Sequence, residues 1–373
     1  VRSVAALSEH PLATHAFGEC AGRLLELGGG AAPDLVVIWC TPPHAGALED
    51  VVHATHRLLA PRVLVGSTTE GLLCGGRQVG VAPALSMLAV FGLGVVEPVR
   101  WHRDGAGVHH GLAGADGTAF VLADPFDLDV ASVLDRLAHD APDLQVVGGT
   151  VSGARHRGGN HLWLDRAEHR DGAVGVRFGP AEAVRAVLSQ GTRGVGAPMT
   201  VTEADGRSLV GLAGAPAVEV LRRVVSELEP DDQLLAAQSL EVGLVDRPHG
   251  VEPTPEQLRV VPVRGVDPAR GALVLDGEAE VGATARFHLR DPRGADEDLR
   301  EVLSDAESCT GALVCASTSL DAAALVSPDH RATLLAELLP DAAIAGMSSV
   351  DELGPVAGVM ARRHGTTSLL LFG

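Results

Sequence analysis

The chain of 373 residues has no lysine and no tyrosine, and only 3% of its residues are aromatic. Its basic side chains are therefore arginine and histidine, and the acidic residues outnumber the arginines 48 to 29, a formal net charge of −19. A surface of that sign disfavours nucleic acid and anionic membranes, because phosphate recognition rests on clustered cations. The missing lysine goes with an excess of Arg, Ala, Gly and Val, the mark of GC-rich coding sequence. Cysteine is sparse and scattered: Cys20, Cys40, Cys74, Cys309 and Cys315 form no C-x-x-C pair. That set fits reduced thiols and not a disulfide framework. No charged segment precedes an apolar one at the start, as a secretory leader requires. The longest apolar run, Leu85–Val96, is about a dozen residues, short of the ~20 of a spanning helix. These absences lead to the expectation of a cytoplasmic protein. No Walker A run and no G-x-G-x-x-G opening a helix is present, so nucleotide binding has no support. No cofactor and no metal site is expected.

What is present is one layout written three times. PDLVVIWC (33–40), RVLVGSTTEGLLCGGR (62–77) and ALSMLAVFG (84–92) form the first copy. TAFVLADP (118–125), QVVGGTVSGARHRGGN (145–160) and GAVGVRFG (172–179) form the second, and GALVCAS (311–317), AIAGMSSVDELGPVAG (343–358) and TSLLLFG (367–373) the third. In each, an apolar strand is followed by a helix pattern, a second apolar strand ending in small residues, and a strand ending in Phe-Gly. The helix patterns are legible by spacing: Leu48, Val51, Val52, Thr55, Leu58 and Leu59; Val130, Val133, Leu134 and Leu137, with Asp127 or Asp129 as N-cap; Leu334, Leu335, Leu338 and Leu339. Nearly continuous apolar strands suit sheets covered on both faces. The expected fold class is α/β, with mixed sheets in layers and helices outside, built from about three strand–helix–strand pseudo-repeats. Two arrangements fit: two sheets face to face, or a ring of three units. Between the second and third copies, 216–228 reads as a helix. Asp231–Asp232 marks a division, 248–255 is a proline-rich loop, and 260–266, 272–275 and 283–289 read as short strands. A further helix is expected from 296 to 303.

Several segments in order, VLVGSTTEG, LADPFDLD, QVVGGTVSG, DGAVGVRFG, LSQGTRGVG, MTVTEADGRSLVGLAGAPAVEVL, ARFHLRDP, AIAGMSSVDELGPVAG and RRHGTTSLLLFG, resemble the FIST family (F-box and intracellular signal transduction), in both its N-terminal and C-terminal portions. The resemblance runs from about residue 31 to the end and implies two domains, 1–232 and 233–373. It implies an intracellular sensory role for a small polar metabolite such as an amino acid, with output through a separate signalling protein. The chain departs from the family at CASTSLD (315–321), where a Cys-Asn-Gly-Arg-Gly-like run is usual. It departs again at GMSSVDELGPV, which lacks the family's aromatics.

Strand-end glycine loops let a backbone approach a bound molecule closely, and three of them suggest one ligand site. In the first, Ser67, Thr68 and Glu70 offer hydroxyls and a carboxylate; the alternative is an ordinary turn leading into a capped helix. The second offers Gly149, Ser152 and Arg155. The third offers Ser349 and Glu352, with His364 following. Arg193, in SQGTRGVG, suits a carboxylate through its planar fork, or else a structural ion pair. Cys315 reads as a buried apolar thiol more readily than as a nucleophile. Arg290–Asp291 reads as a structural pair. His102, His109 and His110 lack zinc-site spacing. No catalytic residue is assigned. A hydrolase and a protein-interaction adapter are the competing readings.

Overall fold

A computed structural model describes residues 1–104, 109–111, 115–245, 257–306, 308–317 and 328–373. The proline-rich loop 248–255, part of the histidine stretch and residues 318–321 of the CASTSLD run lie outside the described residues. The chain forms two compact units: 1–188 with 303–355 and 359–373, and 189–302 with 356–358. The expected division at 232 falls within the second unit, in the helix Pro230–Ser239.

The first unit contains two mixed sheets. In each of three segments an apolar strand sits between two companions. Leu35–Cys40 is parallel to Val63–Thr68 and antiparallel to Leu85–Phe91. Gly117–Ala123 is likewise parallel to Leu144–Val151 and antiparallel to Ala173–Phe178. Gly311–Ser317 is parallel to Ala343–Val356 and antiparallel to Thr367–Phe372. The first trio belongs to a sheet of six strands, and the other two trios to a sheet of twelve.

Alternate residues of these strands face opposite ways, so each sheet has two apolar faces. Val37, Trp39 and Val65 from the smaller sheet pack with Phe120, Leu122, Val147 and Leu313 from the larger. The Trp39 and Phe120 rings meet edge to face, centroids 6.3 Å apart. The intervening positions Val36, Ile38 and Leu64 turn the other way, against the helices Ala13–Gly28 and Leu48–Leu58. Val121, Ala123 and Val146 meet the helix Val130–Asp140. The first unit is therefore two sheets face to face with helices outside. Asp129 is the N-cap of Val130–Asp140, its carboxylate accepting from the Ser132 N–H. Asp124 belongs to the preceding turn, where its Oδ1 accepts from Phe126 N.

The second unit is an antiparallel sheet of seven strands. Arg193–Asp205 pairs with both Thr284–Leu289 and Ser208–Leu212, which closes the sheet on itself. Phe287, Val242, Leu273 and Val201 fill its interior with Val220 of the helix Ala217–Ser226. The helix expected from 296 begins earlier and runs Pro292–Val302. Proline at the first helical position explains the earlier start, since its fixed φ suits that turn and no N–H is lost.

Candidate ligand-binding site

The GSTTEG turn does not start a helix. It leads into a short hairpin, Leu72–Cys74 with Arg77–Val79. The strand Leu72–Cys74 also pairs with Ala345–Met347, which ties this hairpin to the strand Ala343–Val356. GMSSVDELGPV, which reads as a loop, is the continuation of the 14-residue strand Ala343–Val356. Past its parallel partner Gly311–Ser317, this strand crosses to pair antiparallel with Leu144–Val151 near Ser349 and Glu352. Strand ends from three distant stretches of chain are thereby drawn to one place.

The junction is held by hydroxyls. Ser152 Oγ donates to the Ser348 carbonyl across 2.6 Å, and Thr69 Oγ1 donates to the same oxygen across 2.7 Å. The two hydroxyls are 3.1 Å apart, and Ser152 Oγ accepts from Glu70 N–H at 3.0 Å. Thr68 Oγ1 accepts from His161 N–H at 3.1 Å. Gly153 lies so close that a Cβ there would fall 2.4 Å from Thr68 Oγ1. Ser67 is fully buried, with its hydroxyl 3.9 Å from the Met347 sulfur. Gly149 backs onto Ser349 and Cys315, where a Cβ would fall 2.9 and 3.0 Å from their β-carbons.

Beneath this seam Glu352 is completely buried. Its carboxylate accepts from Ser349 Oγ (2.6 Å), Thr366 Oγ1 (2.9 Å) and Thr366 N–H (3.1 Å). Burial outweighs these three donors and pushes the carboxyl up to about 8. Cys315 is fully buried beside it, and burial first, then the Glu352 charge, raises the thiol well above its ordinary value. A thiol so held is not the thiolate that nucleophilic chemistry needs.

At the rim the charged groups reach solvent. Glu70 forms an ion pair of 3.2 Å with Arg155, whose side chain is 88% exposed. His364 is exposed and hydrogen-bonds the Val350 carbonyl through Nδ1 at 2.8 Å, with Asp351 3.6 Å away. Arg193 belongs to the second unit, at the start of a strand and not in a loop. Its guanidinium reaches Asp291 at 2.8 Å and Asp232 at 2.5 Å. The sequence-based alternative of a structural ion pair is the observed one. Nine of the ten expected residues thus lie in the first unit. Thr69, Ser348 and Thr366 take part in most of the junction's hydrogen bonds, and none of the three is among the residues expected from the sequence. Thr69 stands within the GSTTEG run, but the Ser348 carbonyl belongs to the backbone, which no side-chain pattern reveals. Among the described residues no group of His, Cys, Asp and Glu is arranged to hold a metal ion. No described helix is long and apolar enough to cross a membrane.

Residues 34–215 match the FIST N domain and residues 217–355 the FIST C domain. The chain is similar to the uncharacterized protein Mb0898c of Mycobacterium bovis, with 32% identity over 372 residues, covering 97% of this chain and 96% of the relative. It is equally similar to the uncharacterized protein Rv0628c of Mycobacterium tuberculosis, with 32% identity over 376 residues and 98% of each chain covered. With both domains matched in order and relatives aligned over nearly their full length, this chain belongs to the FIST family, whose domains are sensory modules of signal transduction.

Proposed function

We propose that this chain is a cytoplasmic sensory protein that binds a small polar ligand, an amino acid fitting the available groups best, and reports to a separate signalling protein. The observation that carries the reading is the meeting of Thr69 and Ser152 on the Ser348 carbonyl, with the exposed Glu70–Arg155 pair at its edge. An exposed ion pair contributes little to stability and exchanges partners readily. A zwitterion supplies both replacements at once: its ammonium to Glu70 and its carboxylate to the Arg155 fork. The hydroxyl seam beneath links the rim to Ser349 and Glu352, so binding at the rim shifts the long strand that joins all three segments. Net charge and composition favour neither nucleic acid nor membrane as the partner.

Thermal shift of the purified chain against a panel of amino acids and their keto-acid analogues tests this. At least one amino acid raises the melting temperature, and Arg155→Ala or Glu70→Gln removes the response. Silence across the panel removes the basis for the reading.

A further inference from the structure

Two segments prominent in the sequence, Ser189–Gly196 and Phe287–Pro292, meet in the second unit as neighbouring strands, with Gly194 opposite His288. Together with the helix Pro292–Val302 they wall a cavity of about 250 Å³. Glu297, Asp298 and Glu301 of that helix line it, because residues three and four apart share a helix face.

The cations on this wall already have partners. Arg193 is bonded to Asp232 and Asp291, and Arg286 donates to the carbonyls of Gly196 (3.0 Å) and Gly194 (3.4 Å). The acids are less well served. Glu297 pairs with Arg293, but among the described residues neither Asp298 nor Glu301 has a cation within ion-pair distance. For exposed Glu301 that is ordinary. For Asp298, which is only 7% exposed, burial without a counter-charge raises the carboxyl above its ordinary value. Asp298 accepts from Ser189 Oγ at 2.5 Å and Gly191 N–H at 2.9 Å, both neutral donors.

His288 also lines the cavity and is 5% exposed. Its Nδ1 lies 3.1 Å from Thr192 Oγ1, while its Nε2 has no hydrogen-bond partner among the described residues. Burial, with Arg286 and Arg290 nearby, lowers its pKa to about 4, so the ring is neutral at neutral pH. An orphaned buried N–H is rarer than an unfilled lone pair. The favoured tautomer therefore donates from Nδ1 to Thr192 and leaves the buried Nε2 lone pair without a donor. The wall is rich in acceptors and short of one cation.

We propose that this cavity binds a small organic ammonium compound, which supplies the missing counter-charge to Asp298 and Glu301 and a donor to His288. The site is made of second-unit residues alone and does not depend on the strand-end junction of the first unit.

Calorimetric titration of the full chain with ethanolamine and with putrescine, and with succinate as an anionic probe, tests the assignment. At least one amine binds saturably and succinate does not. Glu301→Gln and Asp298→Asn each weaken amine binding at least about tenfold, as expected for loss of a charge-assisted bond. Gly243→Ala, whose new methyl would sit 2.7 Å from His288 Nε2, weakens it as well. Glu26→Gln, removing the same charge from an exposed site in the first unit, leaves it unchanged. Because Glu301 is exposed, its variant decides the matter even if Asp298→Asn does not fold. Failure of both amines to bind, equal binding of succinate, or an unchanged affinity in Glu301→Gln overturns the proposal.

Discussion

Ser349 donates its hydroxyl hydrogen to Glu352 across 2.6 Å, and neither residue exposes any surface. The folded value of Glu352, about 8, lies above the ordinary 4.5 of a free carboxyl. Stability from this group is therefore complete below the unfolded value and is lost as pH rises through the folded one. The melting temperature falls between pH 5 and pH 8.5, with a loss on the order of a few kcal/mol. Glu352→Gln keeps a neutral side chain at every pH and flattens that part of the profile. Equal slopes in wild type and variant, read by thermal denaturation in matched buffers, would falsify the assignment.

Gly149→Ala tests how tightly the strand ends are packed. The added methyl would fall 3.1 Å from the Asp351 carbonyl as well as against the Ser349 and Cys315 side chains. Backbone on one side and a closed core on the other leave little room to adjust, so a loss of roughly 1–3 kcal/mol is expected. Gly76→Ala, where nothing lies within 4 Å, serves as the comparison and stays near wild type. Urea unfolding of both variants measures the difference.

Arg193 bridges Asp232 and Asp291 with only 11% of its side chain exposed. Lysine keeps the charge but cannot address two carboxylates through a planar fork. Arg193→Lys is expected to cost about 2–3 kcal/mol, less than for a fully buried pair. Hydrogen exchange should show the loss in the strand Arg193–Asp205 and the helix Pro230–Ser239. Unchanged protection there would mean that the pair is ornamental.

Cysteine labelling separates sensing from covalent catalysis. Burial pushes Cys20 and Cys40 up to about 12 and Cys74 up to about 11, and Cys309 and Cys315 are raised as well. Iodoacetamide at pH 8 should leave the native chain unmodified over a time that labels all five thiols in urea. Rapid, selective modification of Cys315 in the native state would revive the hydrolase reading.

Much of the first unit is legible from the sequence because its strands are buried on both faces. LVVIWC and GALVCAS are buried at every position and need no partner to be recognised. GMSSVDELGPV is different. Two serines, two acids and a Gly-Pro step read as a turn, yet the backbone stays extended because Leu72–Cys74 and Leu144–Val151 both take up its hydrogen bonds. Those partners lie about two hundred positions or more away in the chain, and no local pattern encodes such a pairing. Glu352 was singled out as a ligand group, but its burial follows from the same pairing and was invisible beforehand. Arg193 shows the converse. Its residue type pointed correctly to carboxylates, but the carboxylates are the protein's own.

The strand Ala343–Val356 has consequences for how the molecule comes into being. Its neighbours are contributed by residues 72–74, 144–151 and 311–317, so the larger sheet cannot close until this late segment has been synthesised. A fragment ending near residue 215 would leave Leu144–Val151 with an uncovered edge, an invitation to self-association. Nascent chains must wait with that edge open, and such non-local closure is slow. The match to the FIST N domain ends before the strand that covers Leu144–Val151, so a chain severed between the two matched regions is expected to keep that edge open and to self-associate.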